Sequence, residues 1–163
     1  MADNYRAKYV VYLEIVAMEH GVDPRMVDAI IHIESNWNPW AVRYETNWKY
    51  FDRATEHARA LGLSLQTEMN CQKQSYGLGQ IMGGTARSMG YKDHLTKLVI
   101  PEKNIELMVI ILAKLKKKYT VMDDIASAYN AGFANKISPN YYVNQDYVEK
   151  FRAAYKGLEN EWK

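Results

Sequence analysis

Asp23-Pro24-Arg25-Met26-Val27-Asp28-Ala29-Ile30-Ile31-His32-Ile33-Glu34-Ser35-Asn36-Trp37-Asn38-Pro39 is the stretch that decides how this chain is read. Asp23 suits a helix N-cap, and Pro24 suits the first helical position, where its missing N–H costs nothing. Met26, Val27, Ile30, Ile31 and Ile33 recur at helical spacing. The helix ends at about Glu34 or Ser35, because Pro39 forbids easy continuation. Glu34 therefore closes an apolar helix one turn past Ile30 and Ile31, just before an aromatic loop. Desolvation there raises a carboxyl pKa and keeps the acid form near neutral pH, as a general acid requires. Taken alone, a helix-end glutamate more often points into water.

Outward from this stretch the pattern is helical almost throughout. Tyr9, Val10, Leu13, Val16 and Ala17 mark a first helix closed by Gly21. Phe51 to Leu61 reads as a helix ending at Gly62, and Ser64 to Ser75 as a loop or short helix. Gly77 to Met89 is helical in part, weakened by Gly83-Gly84. Pro101 opens a strong helix with Ile105, Met108, Val109, Leu112 and Leu115 on one face. Asp123 or Asp124 is the expected cap of the next, which runs through Ile125 to Tyr129 and stops at Gly132. A last helix covers roughly Gln145 to Leu158. Strand signals are weak, so at most a small β element is expected between 40 and 76.

The 163 residues, 48% of them hydrophobic, suit one domain over 1–163 with a packed core. A formal charge of +2 does not point to nucleic acid, yet it permits weak attraction to an anionic polymer such as a cell wall. Cys71 is the only cysteine, so neither an intramolecular disulfide nor a cysteine metal site can form, and it reads as a bystander thiol. His20, His32, His57 and His94 are scattered without metal-ligand spacing, and no metal or cofactor is expected. Lys114-Leu115-Lys116-Lys117-Lys118 reads as a solvated helix end that complements the helix dipole. No apolar run is long enough to span a membrane. Met1 to Arg6 does not begin a signal peptide. The expectation is a soluble cytoplasmic product that reaches its target by delivery or release, with a monomer as the default.

Three further segments carry candidate chemistry. Glu45, in Val42-Arg43-Tyr44-Glu45, offers the second carboxylate that glycosidases use, or else a surface charge paired with Arg43. Gly77-Leu78-Gly79-Gln80 sets an amide among glycines. Backbone can approach a ligand closely there, and Gln80 can both donate to and accept from sugar groups. A plain loop-to-helix junction explains the glycines equally well. Ala128-Tyr129-Asn130-Ala131-Gly132 ends a helix with a Tyr-Asn pair beside small residues, which suits a cleft wall or a glycine-stopped helix with a packed tyrosine.

The order and spacing of Glu34-Ser35, Gly77-Leu78-Gly79-Gln80-Ile81-Met82, Ala128-Tyr129-Asn130-Ala131-Gly132 and Tyr147-Val148 resemble the soluble lytic transglycosylase family. That family shares its fold with goose-type lysozyme. The resemblance covers about residues 20 to 155. Asn38 to Glu45 and the long insert before Tyr76 are most similar to bacteriophage members. It implies a mainly α, lysozyme-like fold and an enzyme acting on peptidoglycan glycan strands, as an endolysin or a virion-associated component. Glu34 matches the family's catalytic acid/base, Gln80 its motif glutamine, Tyr129 and Asn130 its cleft pair, and Tyr147 its late cleft tyrosine. Two positions depart. Gly79 stands where methionine is usual, which removes an apolar wall near the sugar. Tyr76 stands where many members have serine, Ser75 is the neighbour that can substitute for it, and the resemblance makes both substrate-binding candidates.

The resemblance implies cleavage of the bond between N-acetylmuramic acid and N-acetylglucosamine, with Glu34 giving and then taking a proton and a 1,6-anhydro ring closing without water. Two alternatives stand beside it. One is a hydrolytic muramidase in which Glu45 activates water. The other is a wall-binding or phage structural module without catalysis.

Overall fold

Helix α2 (Pro24–Glu34) organises the computed structural model, which describes residues 2–162. Met1 of the expected leaderless start and Lys163 of the expected 1–163 unit lie outside the described residues. An Asp23 carboxylate oxygen accepts the Arg25 N–H at 2.9 Å, Pro24 takes the first turn, and Ser35 closes the helix with its N–H on the Ile31 and His32 carbonyls. Met26, Val27, Ile30 and Ile31 are buried, each worth roughly 1.5–3 kcal/mol when fully removed from water. α2 packs on α1 (Ala2–Glu19) and on α8 (Gln145–Gly157). α1 packs on α6 (Pro101–Lys118), α6 on α7 (Met122–Ala131), and α7 on α8, which closes a ring of helix contacts. Leu13, Ile30, Leu78, Ile105, Met108 and Phe151 belong to one contiguous apolar cluster inside it.

A three-stranded antiparallel sheet lies against this ring in the order β1 (Val42–Tyr44), β2 (Gln74–Tyr76), β3 (Ile81–Met82). Its register pairs Arg43 with Ser75 and Ser75 with Met82. Between β1 and β2 the chain leaves the sheet for a helical excursion, α3 (Ala54–Leu61) and α4 (Leu65–Gln72). After β3 come α5 (Gly83–Ser88) and a 3₁₀ turn (Leu95–Val99). Among the described residues no helix is long and apolar enough to cross a membrane.

The structure corrects several local expectations. A second sheet, β4 (Lys136–Ser138) with β5 (Tyr141–Tyr142), lies well beyond the 40–76 window, and β3 lies just past it. All of β4 is exposed, so it has no apolar alternation to read. The helix expected within Gly77 to Met89 shrinks to α5, because a Gly77–Gln80 turn and β3 use the rest. Ser64 caps α4 by accepting the Thr67 N–H at 3.0 Å. The cap of α7 is Val121, not Asp123 or Asp124. Those carboxylates sit in the first turn, where they complement the helix dipole, and they are drawn sideways to Arg152 at 2.6 Å and Lys136 at 2.8 Å.

Candidate active site

The end of α2 is fixed from both sides. Ser35 donates its hydroxyl to the Leu78 carbonyl at 2.7 Å, tying the helix end to the glycine-rich turn. The next two residues, Asn36 and Trp37, turn sharply with φ of 49° and 58°. That region is costly for side-chain-bearing residues, and such strain persists only where the surroundings enforce it. Trp37 is buried, and its indole N–H donates to Asp28 at 2.9 Å. Asp28, 0% exposed, also receives hydrogen bonds from Arg6 at 2.7 Å and Trp162 at 2.9 Å, and pairs with His32 at 3.0 Å. Burial alone would raise its carboxyl. The partners outweigh that, His32 and Arg6 foremost, and hold its pKa at about 2. Asp28 thus clamps the helix whose last residue is Glu34.

Glu34 is half-buried, and its Oε1 accepts the Tyr147 hydroxyl of α8 at 2.7 Å. Burial raises its pKa above the ordinary carboxylate value. The Tyr147 hydrogen bond and the positive charge of Arg43 on β1 act against that rise. The Tyr147 and Tyr129 hydroxyls are both held well above their ordinary pKa, by burial first and then by the charge of Glu34. A carboxylic acid whose protonated form is favoured by burial, and whose carboxylate is favoured by a neutral phenol's hydrogen bond and a positive charge, can give a proton and take it back.

The Gly77–Gln80 turn forms the floor beside it. Asn104 of α6 is buried, accepts the Gly79 N–H at 2.8 Å, and donates to the Tyr76 and Leu98 carbonyls at 2.8 and 2.7 Å. Tyr129 donates to the Gly79 carbonyl at 2.7 Å. A Cβ on Gly79 would sit 2.7 Å from the Tyr129 hydroxyl and 2.9 Å from the Met108 sulfur. The space left by the missing side chain is therefore occupied by a phenol and by a thioether from α6. No apolar wall is lost there.

Three expected sugar contacts point elsewhere. Gln80 (φ 46°) turns its side chain into the frame, donating to the Ala41 and Gly77 carbonyls at 2.9 Å each and accepting from Ser75 at 2.9 Å. Both amide protons are spent on backbone. Ser75 is buried, and Tyr76, 1% exposed, donates to the Cys71 carbonyl at 2.9 Å. Gln80, Ser75 and Tyr76 brace the site from beneath. Asn130 is exposed at the end of α7, where its amide oxygen accepts from Asn144 at 2.9 Å. Glu45 lies beyond the end of β1 in an ion pair with Arg43 at 2.5 Å. Sequence reasoning missed Asn104 and Asp28. Each is a polar residue within an otherwise buried helical stripe, and that is the signal that would have found it. Arg43 was read only as a partner for Glu45.

A family model described as the transglycosylase SLT domain matches residues 12–151, from α1 into α8, and so takes in Glu34, the glycine turn, Tyr129 and Tyr147. The chain belongs to the transglycosylase SLT domain family. That family consists of peptidoglycan lytic transglycosylases, which cleave glycosidic bonds, and this SLT domain is a peptidoglycan-degrading enzyme. Its helical ring with a small sheet is the lysozyme-like architecture of the family. No solved structure matches the chain.

Proposed function

We propose that Glu34 is the single acid/base of this SLT domain, and that it cleaves the bond between N-acetylmuramic acid and N-acetylglucosamine without water. Protonated Glu34 gives its proton to the glycosidic oxygen as the bond from the muramic C1 breaks, releasing the 4-hydroxyl of N-acetylglucosamine. The substrate's own acetamido oxygen shields the positive charge at C1, so no protein nucleophile is needed. The muramic 6-hydroxyl then bonds to C1, its proton passes to the Glu34 carboxylate, and a 1,6-anhydro ring closes. Atoms balance with no water consumed.

The observation that carries this reading is the opposition of forces on Glu34. Burial favours the acid, while Tyr147 and Arg43 favour the carboxylate. A group that must serve both as acid and as base works best when neither form is too stable. Tyr129, fixed on the Gly79 carbonyl, shapes the floor, and Asn130 extends the wall. The ion pair with Arg43 gives Glu45 an electrostatic role, holding the guanidinium near Glu34. The test is Glu34→Gln: we expect loss of turnover with retained binding to purified peptidoglycan. Undiminished cleavage would remove Glu34 from the mechanism.

A further inference from the structure

The excursion between β1 and β2 builds a pocket that the chemistry at Glu34 does not use. Trp48, Tyr50, Phe51 and Arg53 line one side and Thr85 and Ser88 of α5 the other, around about 440 Å³. Tyr50 is 77% exposed, and its ring meets Trp48 edge to face with centroids 5.4 Å apart. The Trp48 indole N–H donates to the Tyr50 carbonyl at 2.8 Å, which fixes the aromatic loop on itself. Gly84 makes the fit possible: a Cβ there would stand 2.5 Å from the Tyr50 carbonyl and 2.7 Å from the Trp48 nitrogen.

This loop is held more firmly than a surface turn needs to be. Buried Gln72 grips the Asp52 backbone twice, accepting its N–H at 2.8 Å and donating to its carbonyl at 2.9 Å. Gln72 also donates to Glu68 at 3.0 Å, and Glu68 meets Arg87 in a fully buried bidentate pair at 2.7 and 3.0 Å. Two further Arg87 N–H groups donate to the Tyr91 and Asp93 carbonyls at 2.8 Å each. A buried ion pair gives little net stability over an apolar core, and its best-attested use is to fix one geometry. Next to Asp52, Arg53 sits in the left-handed region at φ 37°, a strain that collects at ligand sites. Arg53 and Asp52 neutralise each other at 2.7 Å. The pocket thus offers an exposed aromatic face, the hydroxyls of Tyr50, Thr85 and Ser88, and no net charge.

We infer that this pocket is a second glycan-binding site, taking a neutral amino-sugar unit of the polymer outside the Glu34 cleft. The inference rests on the proposed peptidoglycan substrate. An aromatic face suits a sugar ring, the hydroxyls and the paired polar groups suit its hydroxyl and acetamido groups, and internal neutrality disfavours a charged ligand. Trp48 lies five residues past Arg43, so the pocket wall starts within about 18 Å of the cleft along the chain. A long strand meets both sites, whereas a short oligosaccharide fills only one.

The test uses the full chain carrying Glu34→Gln, titrated with glycan strands freed of stem peptides. Adding Tyr50→Ala, an exposed change that spares the core, is expected to weaken strand binding about 3–10-fold, the range of one aromatic contact. In the active enzyme the same change is expected to raise KM on long strands by a similar factor, leaving kcat and turnover of a tetrasaccharide unaltered. Gly84→Ala is expected to reproduce the KM effect by displacing the loop. Unchanged strand binding in Tyr50→Ala, or an equal loss on the tetrasaccharide, would overturn the inference. Binding that requires stem peptides would overturn the glycan assignment in favour of a peptide. Failure of the Glu34 reading would be seen separately, as cleavage by the Glu34→Gln chain.

Discussion

The Tyr147 hydroxyl donates to Glu34 Oε1 at 2.7 Å, joining the last residue of α2 to the first turn of α8, a separation of 113 residues in sequence. This bond favours the ionised form of Glu34, against the burial that favours the acid. Tyr147→Phe removes the donor and leaves the ring. The Glu34 pKa is then expected to rise further, moving the alkaline limb of the pH–kcat profile to higher pH. A hydrogen bond to a charged group contributes about 1.5–3 kcal/mol, so kcat is expected to fall about 10–100-fold. A profile that does not move would remove Tyr147 from the control of Glu34.

Glu34 is costly to keep. Its folded-state pKa lies above the ordinary 4.5, so the unfolded chain ionises first and stability is lost as pH rises from 4.5 through the folded value. Glu34→Gln retains an acceptor for Tyr147 and cannot ionise. We expect it to be more stable than the parent at pH 8, with a difference that vanishes below pH 4.5. Denaturant unfolding at the two pH values checks this, and a constant difference would contradict it.

Asp28 and His32 change stability at opposite ends of the pH range, Asp28 in acid and His32, like Glu34, as pH rises. The Asp28 carboxyl is held at about 2 against an ordinary 3.8, so its contribution is present above 3.8 and lost as pH falls toward 2. His32 is raised above 6.5, by its hydrogen bond to Asp28 first. Its contribution is complete below 6.5 and lost as pH rises through the folded value. Asp28→Asn strands buried partners and is expected to cost roughly 3–5 kcal/mol while flattening both limbs. Urea unfolding across pH 2 to 8 measures both effects.

Gly79→Ala is expected to cost about 1–3 kcal/mol by overpacking, since the new Cβ meets the Tyr129 hydroxyl at 2.7 Å and the Met108 sulfur at 2.9 Å. The flexible Met108 side chain can give way, but the Tyr129 hydroxyl is tied to the Gly79 carbonyl. Activity is therefore expected to fall with stability. Met108→Ala alone empties a buried site and is expected to cost about 2–5 kcal/mol, and combined with Gly79→Ala it is expected to cost less than the sum of the two single losses, which thermal unfolding of the three variants would show.

What was legible in the sequence followed local periodicity and caps. Asp23-Pro24 starts α2, Glu34 ends it, Pro101 opens α6, and Gly132 stops α7, because each signal acts within one or two helical turns. Roles set by distant partners were not legible. Gln80 looked like a sugar ligand, but its donors are committed to Ala41 and Gly77 once β1 comes alongside. Tyr76 looked like a cleft residue because nothing local shows that it turns into the core toward Cys71. The β4–β5 hairpin gave no warning, since Ile137 and Tyr141 are apolar yet exposed. The Asp28 clamp joins Arg6, Trp37 and Trp162, three points that only the folded chain brings together.

The most direct measurement of the central claim is the mass of the soluble products released from purified peptidoglycan. If Glu34 both gives and takes the proton without water, the products carry 1,6-anhydromuramic ends and their masses sum to that of the strand. Products one water heavier, with reducing muramic ends, would contradict this and make the enzyme a hydrolase in which Glu45 regains a claim on the water.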